Sequence, residues 1–170
     1  KPLNVPVGKE PGMLFSDRRV EFVCRDAEIE ELEGFLASDQ HVAWQLWHGA
    51  AGMGKTRLAF ELCRRLDRSW EAKPSVWVAG FLDLVRVGID DWSAWVPRRP
   101  TLIVVDYVRQ RARTIGRFIE QISQAASRRP MPRVRFLLLE RDAEREWLDE
   151  LLGEDDRRRW CEAARYKTPD

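Results

Sequence analysis

Apolar residues along this chain alternate between two rhythms. Ile29, Leu32, Phe35 and Leu36 return at helical spacing and predict a helix over residues 27–37, with Asp26 as N-cap and Glu28, Glu30 and Glu31 in the first turns, where acids suit the helix dipole. Val42 to Trp47 is a short, mostly apolar run that ends in a glycine cluster, and Leu58, Leu62 and Leu66 then mark one face of a following helix. Ser75 to Ala79 reads as a second strand. Between Asp83 and Pro100, Trp92 and Trp95 fall on one face of a short helix bounded by Pro97. Thr101 to Val105 is a continuous β-branched and apolar run ending in Asp106, the pattern of a strand buried on both faces. The next helix, of about 15 residues, turns Ile115, Phe118, Ile119 and Ile122 inward and stops at Pro130 and Pro132. Val134 to Leu139 is a further buried strand, and Asp142 caps a last helix carrying Trp147, Leu148, Leu151 and Leu152.

Strands alternating with helices of this length predict parallel strands joined by crossover helices, hence a three-layer α/β domain with a mostly parallel central sheet. Residues 21–170 form that domain. Residues 1–20, with Pro2, Pro6, Gly8, Pro11 and Gly12, read as an extended lead-in or linker, followed by a short strand at Arg19 to Val23. The opening Lys1 and closing Asp170 suggest a fragment of a longer protein.

Composition narrows the classes. At 170 residues and 44% apolar, the chain can bury a core without staples. It holds no apolar run long enough to cross a membrane. Cys24, Cys63 and Cys161 are odd in number, widely spaced and without a C-x-x-C pair, which predicts free thiols in a reducing cytoplasm. A formal net charge of +1 argues against a dedicated nucleic-acid binder. The basic clusters at Arg109, Arg111, Arg113 and Arg117, at Arg128 to Arg135 and at Arg157 to Arg159 read as solvated faces offset by the acidic stretch from Glu140 to Asp156. His41 and His48 are the only histidines, so a hydrolytic triad is not indicated. Trp44, Trp47, Trp77 and Trp147 are expected to fill the core and helix–sheet gaps.

The chemistry concentrates in Gly49-Ala50-Ala51-Gly52-Met53-Gly54-Lys55-Thr56, a full match to G-x-x-x-x-G-K-[ST] between an apolar strand and an amphipathic helix. In such a loop the glycines let successive N–H groups converge on phosphate oxygens at the positive end of the helix. Lys55 would reach the β- and γ-phosphates, and the Thr56 hydroxyl would ligate Mg²⁺. Asp106, at the carboxyl end of its strand, is the second expected metal contact, in the manner of a Walker B aspartate. Tyr107 follows it, so the next position holds no acidic general base. Arg141, ending the run Arg135 to Arg141, is placed to touch a terminal phosphate.

The set resembles the nucleotide-binding domain of STAND-class P-loop NTPases, the signalling group that includes NACHT and NB-ARC proteins and bacterial tetratricopeptide-linked regulators. Phe22-Val23-Cys24-Arg25-Asp26-Ala27-Glu28 is similar to that group's h-h-G-R-x-x-E element, with Cys24 in place of the glycine. Gly54 to Ala59 resembles its phosphate-loop helix, Leu102 to Asp106 its Walker B strand, and Arg135 to Arg141 its sensor strand. The resemblance implies an AAA+/STAND-like P-loop fold and an ATP/ADP and Mg²⁺ site. It puts Val23 and Arg25 near the base and Gly49, Gly52, Met53, Gly54, Lys55, Thr56 and Arg57 around the phosphates. It implies a slow ATPase acting as a cytoplasmic signalling or defence switch, self-associating through the full-length protein, with effector and sensor domains elsewhere. The winged-helix region that closes over the nucleotide in that group does not follow within these residues. A small-molecule P-loop kinase and a non-catalytic interaction module keeping the fold are the alternative readings.

Overall fold

The computed structural model describes residues 25–68, 77–83 and 95–166. Val23, Cys24, the lead-in and the short strand at Arg19 to Val23 lie outside the described residues, as do Trp92 and residues 75 and 76.

Four strands, β1 (Val42–His48), β2 (Val78–Phe81), β3 (Thr101–Asp106) and β4 (Val134–Glu140), form one parallel sheet in the order β1-β4-β3-β2. The central pair are the continuous run expected at Thr101 to Val105 and the further buried strand expected at Val134 to Leu139. β4 is buried along its whole length and β3 at every residue but Asp106. Phe136 of β4 sits level with both Trp44 and Ile103, which fixes the register across the middle of the sheet.

Period-two alternation divides the core into two layers. On one face, Ala43, Leu102, Val104, Leu137 and Leu139 pack with Ile29, Leu32 and Phe35 of α1 (Asp26–Ala37) and Leu58 and Leu62 of α2 (Lys55–Arg68). On the other face, Trp44, Ile103, Val105, Phe136 and Leu138 pack against α3 (Ala112–Arg128), α4 (Arg145–Leu152) and α5 (Asp155–Ala163). The result is the expected three-layer α/β arrangement. Trp44 and Trp147 lie in the core, and Trp47 and Trp77 pack partly buried against it. Among the described residues no helix is long and apolar enough to cross a membrane.

Several local expectations are corrected. Asp26 is the first residue of α1 and not its N-cap; Arg25 holds that position without a side-chain cap bond, and Asp26 with Glu28 faces the dipole from within the first turn. β2 lies two to three residues later than the sequence suggests. Residues 95–97 are not helical, and Trp95 is buried in the core without belonging to a helix. Asp142 does not cap α4. Glu144 precedes that helix, and Asp142 instead accepts the Glu144 N–H at 3.2 Å and the Trp147 indole N–H at 3.0 Å. α4 is not the last helix: Gly153, with a positive φ of 70°, turns the chain into α5. After α5 the chain runs beside the free edge of β1, with Trp44 N–H donating to Ala164 and Tyr166 N–H donating to Trp44. Arg135, counted above in a solvated basic face, is fully buried.

Candidate functional site

The loop from Gly49 to Gly54 carries the chain from the carboxyl end of β1 into the amino end of α2. Gly52 and Gly54 take φ of 82° and 78°, left-handed values that favour residues without a β-carbon. The first helical bond forms at once, from Leu58 N–H to the Gly54 carbonyl at 2.9 Å. The first turn of α2 contains no acid, unlike those of α1, α4 and α5, and holds Lys55 and Arg57 instead. The positive end of this 14-residue helix is therefore reinforced by cations and left open to an anion.

Beside it is a cavity of about 420 Å³, lined by Ala51, Gly52, Gly54, Lys55, Thr56 and Arg57 from the loop and helix, and by Asp106, Tyr107, Glu140 and Arg141 from the strand ends. Sheet order explains the meeting. β4 lies between β1 and β3, so the carboxyl ends of all three converge on one rim, and alternation turns Asp106 to the same face as Leu102 and Val104, toward α2. Thr56 Oγ1 donates to Asp106 Oδ2 at 2.8 Å. Asp106 Oδ1 accepts the Tyr107 N–H at 3.0 Å. Lys55 Nζ donates to the carbonyls of Gly49 and Ala50 and so lies over the loop.

Arg25 reaches the same loop from the start of α1. Its guanidinium donates to the Met53 carbonyl, and a β-carbon built on Gly54 would stand 3.7 Å from it. Met53 itself is exposed at the loop tip. The structure thus brings Arg25, Gly49, Gly52, Met53, Gly54, Lys55, Thr56, Arg57, Asp106 and Arg141 around one loop and cavity, while Val23 lies outside the described residues.

The sequence reading missed Glu140. This carboxylate, at the end of β4, is only 6% exposed. Its two oxygens accept the N–H groups of Arg109, at 2.9 Å, and Arg141, at 2.8 Å. A charged residue closing the apolar run Phe136 to Leu139 beside Arg141 was the available signal. Tyr107 was noted only for not being an acid. It is exposed, with the Arg141 guanidinium 5.7 Å from its ring centroid.

Among the described residues no group of three or more His, Cys, Asp or Glu could hold a metal unaided. Mg²⁺ keeps several waters and takes one or two carboxylates together with substrate phosphates. Thr56 and Asp106 offer one hydroxyl and one carboxylate, both hard oxygen donors.

The sequence matches no protein-family model and no curated protein. Among solved structures, the chain is similar to the Orc1 protein of Aeropyrum pernix, determined in complex with DNA, with a TM-score of 0.51, 16% identity and coverage of 83% of this chain. The match covers 47% of that protein, so the chain spans about half its length. The likeness, with the parallel sheet and its strand order, shows the fold: a three-layer α/β domain of the P-loop NTPase type.

Proposed function

We propose that this chain is the nucleotide-binding switch domain of a STAND-type signalling or defence NTPase, binding Mg-ATP, hydrolysing it slowly, and controlling self-association of a larger protein with effector and sensor domains. The observation that carries the reading is the Thr56–Asp106 pair at 2.8 Å, set in the cavity wall directly beside a glycine loop whose helix end is cationic. ATP over GTP, and the signalling role, rest on the STAND resemblance alone.

Residue roles follow from placement. The Gly49 to Gly54 backbone cradles the polyphosphate, and Lys55 supplies its ammonium to the β- and γ-oxygens. Thr56 and Asp106 would hold Mg²⁺, which when bound neutralises phosphate charge. Arg141 gives the terminal phosphate a contact that a diphosphate lacks, and only such a differential contact lets a nucleotide shift a conformational equilibrium. Slow hydrolysis is supported by the engagement of the cavity's carboxylates. Among the described residues these are Asp106 and Glu140, and each already accepts two hydrogen bonds from the protein.

The Aeropyrum pernix protein was determined with DNA; for this chain a partner other than nucleic acid is proposed, supported by the pairing of two arginines. Arg109 pairs with Asp142 and Glu144 at 3.4 and 3.0 Å, and Arg158 with Asp149 and Glu162 at 3.1 and 3.7 Å. Such internal pairing leaves less cationic surface to phosphate backbones.

The test is a titration with fluorescent Mg-ATP of the wild type and Lys55→Ala, together with identification of any nucleotide that copurifies. Micromolar or tighter binding lost in the variant is the expected result. Equal affinity in both proteins would overturn the proposal.

A further inference from the structure

We infer that Tyr107 is the positioning residue for Arg141: its ring carries the guanidinium at the wall of the phosphate cavity and thereby sets how strongly the site prefers a triphosphate to a diphosphate. The inference rests on the nucleotide reading above and goes beyond it by assigning a role to a residue outside the phosphate-loop motif.

Three observations converge. Tyr107 has φ 54° and ψ 49°, and among the described residues it is the only one other than glycine with positive φ. A bulky residue disfavours that left-handed conformation, and glycine would accept it freely. The conformation turns the chain sharply after β3, so that the Tyr107 N–H meets its neighbour's carboxylate, Asp106 Oδ1, at 3.0 Å, while the residue remains 49% exposed. A large ring left half in water at a strained turn gains little from packing in the core.

What the ring does contact is Arg141. The guanidinium carbon lies 5.7 Å from the ring centroid, within cation–π range, and both residues line the cavity with Lys55, Thr56 and Asp106. The backbone of Arg141 is fixed independently, because its N–H donates to Glu140 Oε1 at 2.8 Å. The other Glu140 oxygen takes the Arg109 N–H at 2.9 Å, so one buried carboxylate ties the turn containing Tyr107 to the end of β4. Arg141 is thus held at its backbone by Glu140 and at its guanidinium by Tyr107. A long exposed arginine otherwise samples many rotamers, and restricting them beforehand lowers the entropy lost when it engages a phosphate oxygen.

The experiment measures calorimetric affinities for Mg-ATPγS and Mg-ADP in wild type, Tyr107→Phe and Tyr107→Leu. The Phe variant keeps the ring face and is expected to keep the wild-type ratio of the two affinities. The Leu variant keeps bulk without a π face and should lower that ratio about two- to fivefold, with ADP affinity unchanged. A Leu variant with the wild-type ratio would overturn the inference while leaving nucleotide binding intact. Equal loss of both affinities in the Phe and Leu variants would show a merely structural role and also overturn it. A wild type that binds neither nucleotide would remove the functional reading and this inference together.

Discussion

Thr56 and Asp106 are fifty residues apart in the chain, yet the hydroxyl of one donates to the carboxylate of the other across 2.8 Å. The pair exists because the parallel sheet brings the end of β3 to the amino end of α2, although β4 separates β3 from β1. On the proposed reading the two oxygens hold Mg²⁺ only in combination, so Thr56→Val and Asp106→Asn should each reduce the Mg²⁺-dependent gain in ATP affinity by about tenfold or more. Because they share one function, the double variant should lose little beyond either single variant. ATP titrations with and without Mg²⁺ check this, and an undiminished Mg²⁺ effect in either single variant contradicts it.

Glu140 ties two cavity walls through Arg109 and Arg141. Glu140→Gln keeps the shape but presents an amide donor to one of the two N–H groups and removes the charge. Losing charge-assisted bonds at a buried position should cost about 1–3 kcal/mol, seen as a lower midpoint in urea unfolding. An unchanged midpoint would mean that the two turns are held apart from this carboxylate.

The site was legible where chemistry imposed a pattern. The spacing from Gly49 to Thr56 and an aspartate ending an apolar run are short-range signals, and the central strands carry apolar runs, Leu102 to Val105 in β3 and Phe136 to Leu139 in β4, because both their faces are covered. α5 was not legible because its sequence, Asp155 to Ala163, is mostly charged, and Cys161 is its one buried residue. Its place is set instead by long-range contacts, such as the Trp44 indole donating to the Cys161 carbonyl at 2.6 Å. Glu140 was read only as the start of an acidic stretch, since a carboxylate that serves two turns leaves no local spacing to find. Asp142 has the composition of a cap, but the Trp147 indole takes up its Oδ1.

Gly116 lies mid-helix in α3, where glycine is ordinarily unfavourable, and packing explains it. A β-carbon there would stand 1.9 Å from the Leu151 carbonyl oxygen of α4. The obstacle is backbone and cannot swing aside, so Gly116→Ala should cost about 1–3 kcal/mol despite the better helix propensity of alanine. Thermal unfolding reads the result, and a raised Tm would show that α4 moves freely relative to α3.

Burial pushes the thiols of both Cys63 and Cys161 up to about 12, since a thiolate is disfavoured away from water. With pKa values that high, only about one part in ten thousand is thiolate at pH 8, and the fraction rises about tenfold for each further pH unit until the pKa is approached. Iodoacetamide labelling of the folded protein, mapped by mass spectrometry, should leave the Cys63 and Cys161 peptides unmodified at pH 8 while the unfolded chain labels readily. Rapid labelling of either in the folded protein would contradict the burial.

Arg135 belongs to the interior and not to the basic surface its neighbours form. Alternation along β4 puts it with Leu137 and Leu139 on the face toward α1, where Nε donates to the Phe35 carbonyl at 3.0 Å and Nη2 to the Ser38 carbonyl at 2.7 Å. Nη1 serves the carbonyls of Val134 and His41, at 3.1 and 3.4 Å, and the guanidinium carbon lies 5.8 Å from the Phe35 ring centroid. Burial, with the nearby Arg133 charge, lowers its pKa to about 10, which leaves it charged at neutral pH. One side chain therefore serves the carbonyls that end α1 and lead into β1, alongside the backbone cap from Ser38 N–H to the Phe35 carbonyl. Arg135→Leu fills part of the space but strips the Ser38 carbonyl of this donor and leaves the carbonyls of Phe35 and His41 with one backbone donor each, Ser38 N–H and Val134 N–H, at a cost of about 2–4 kcal/mol. Arg135→Lys retains the charge without the planar fork, cannot reach all the carbonyls at once, and should recover less than half of the loss. Urea unfolding of the two variants decides the matter: a Lys variant as stable as the wild type would show that charge, and not the fork, holds the end of α1.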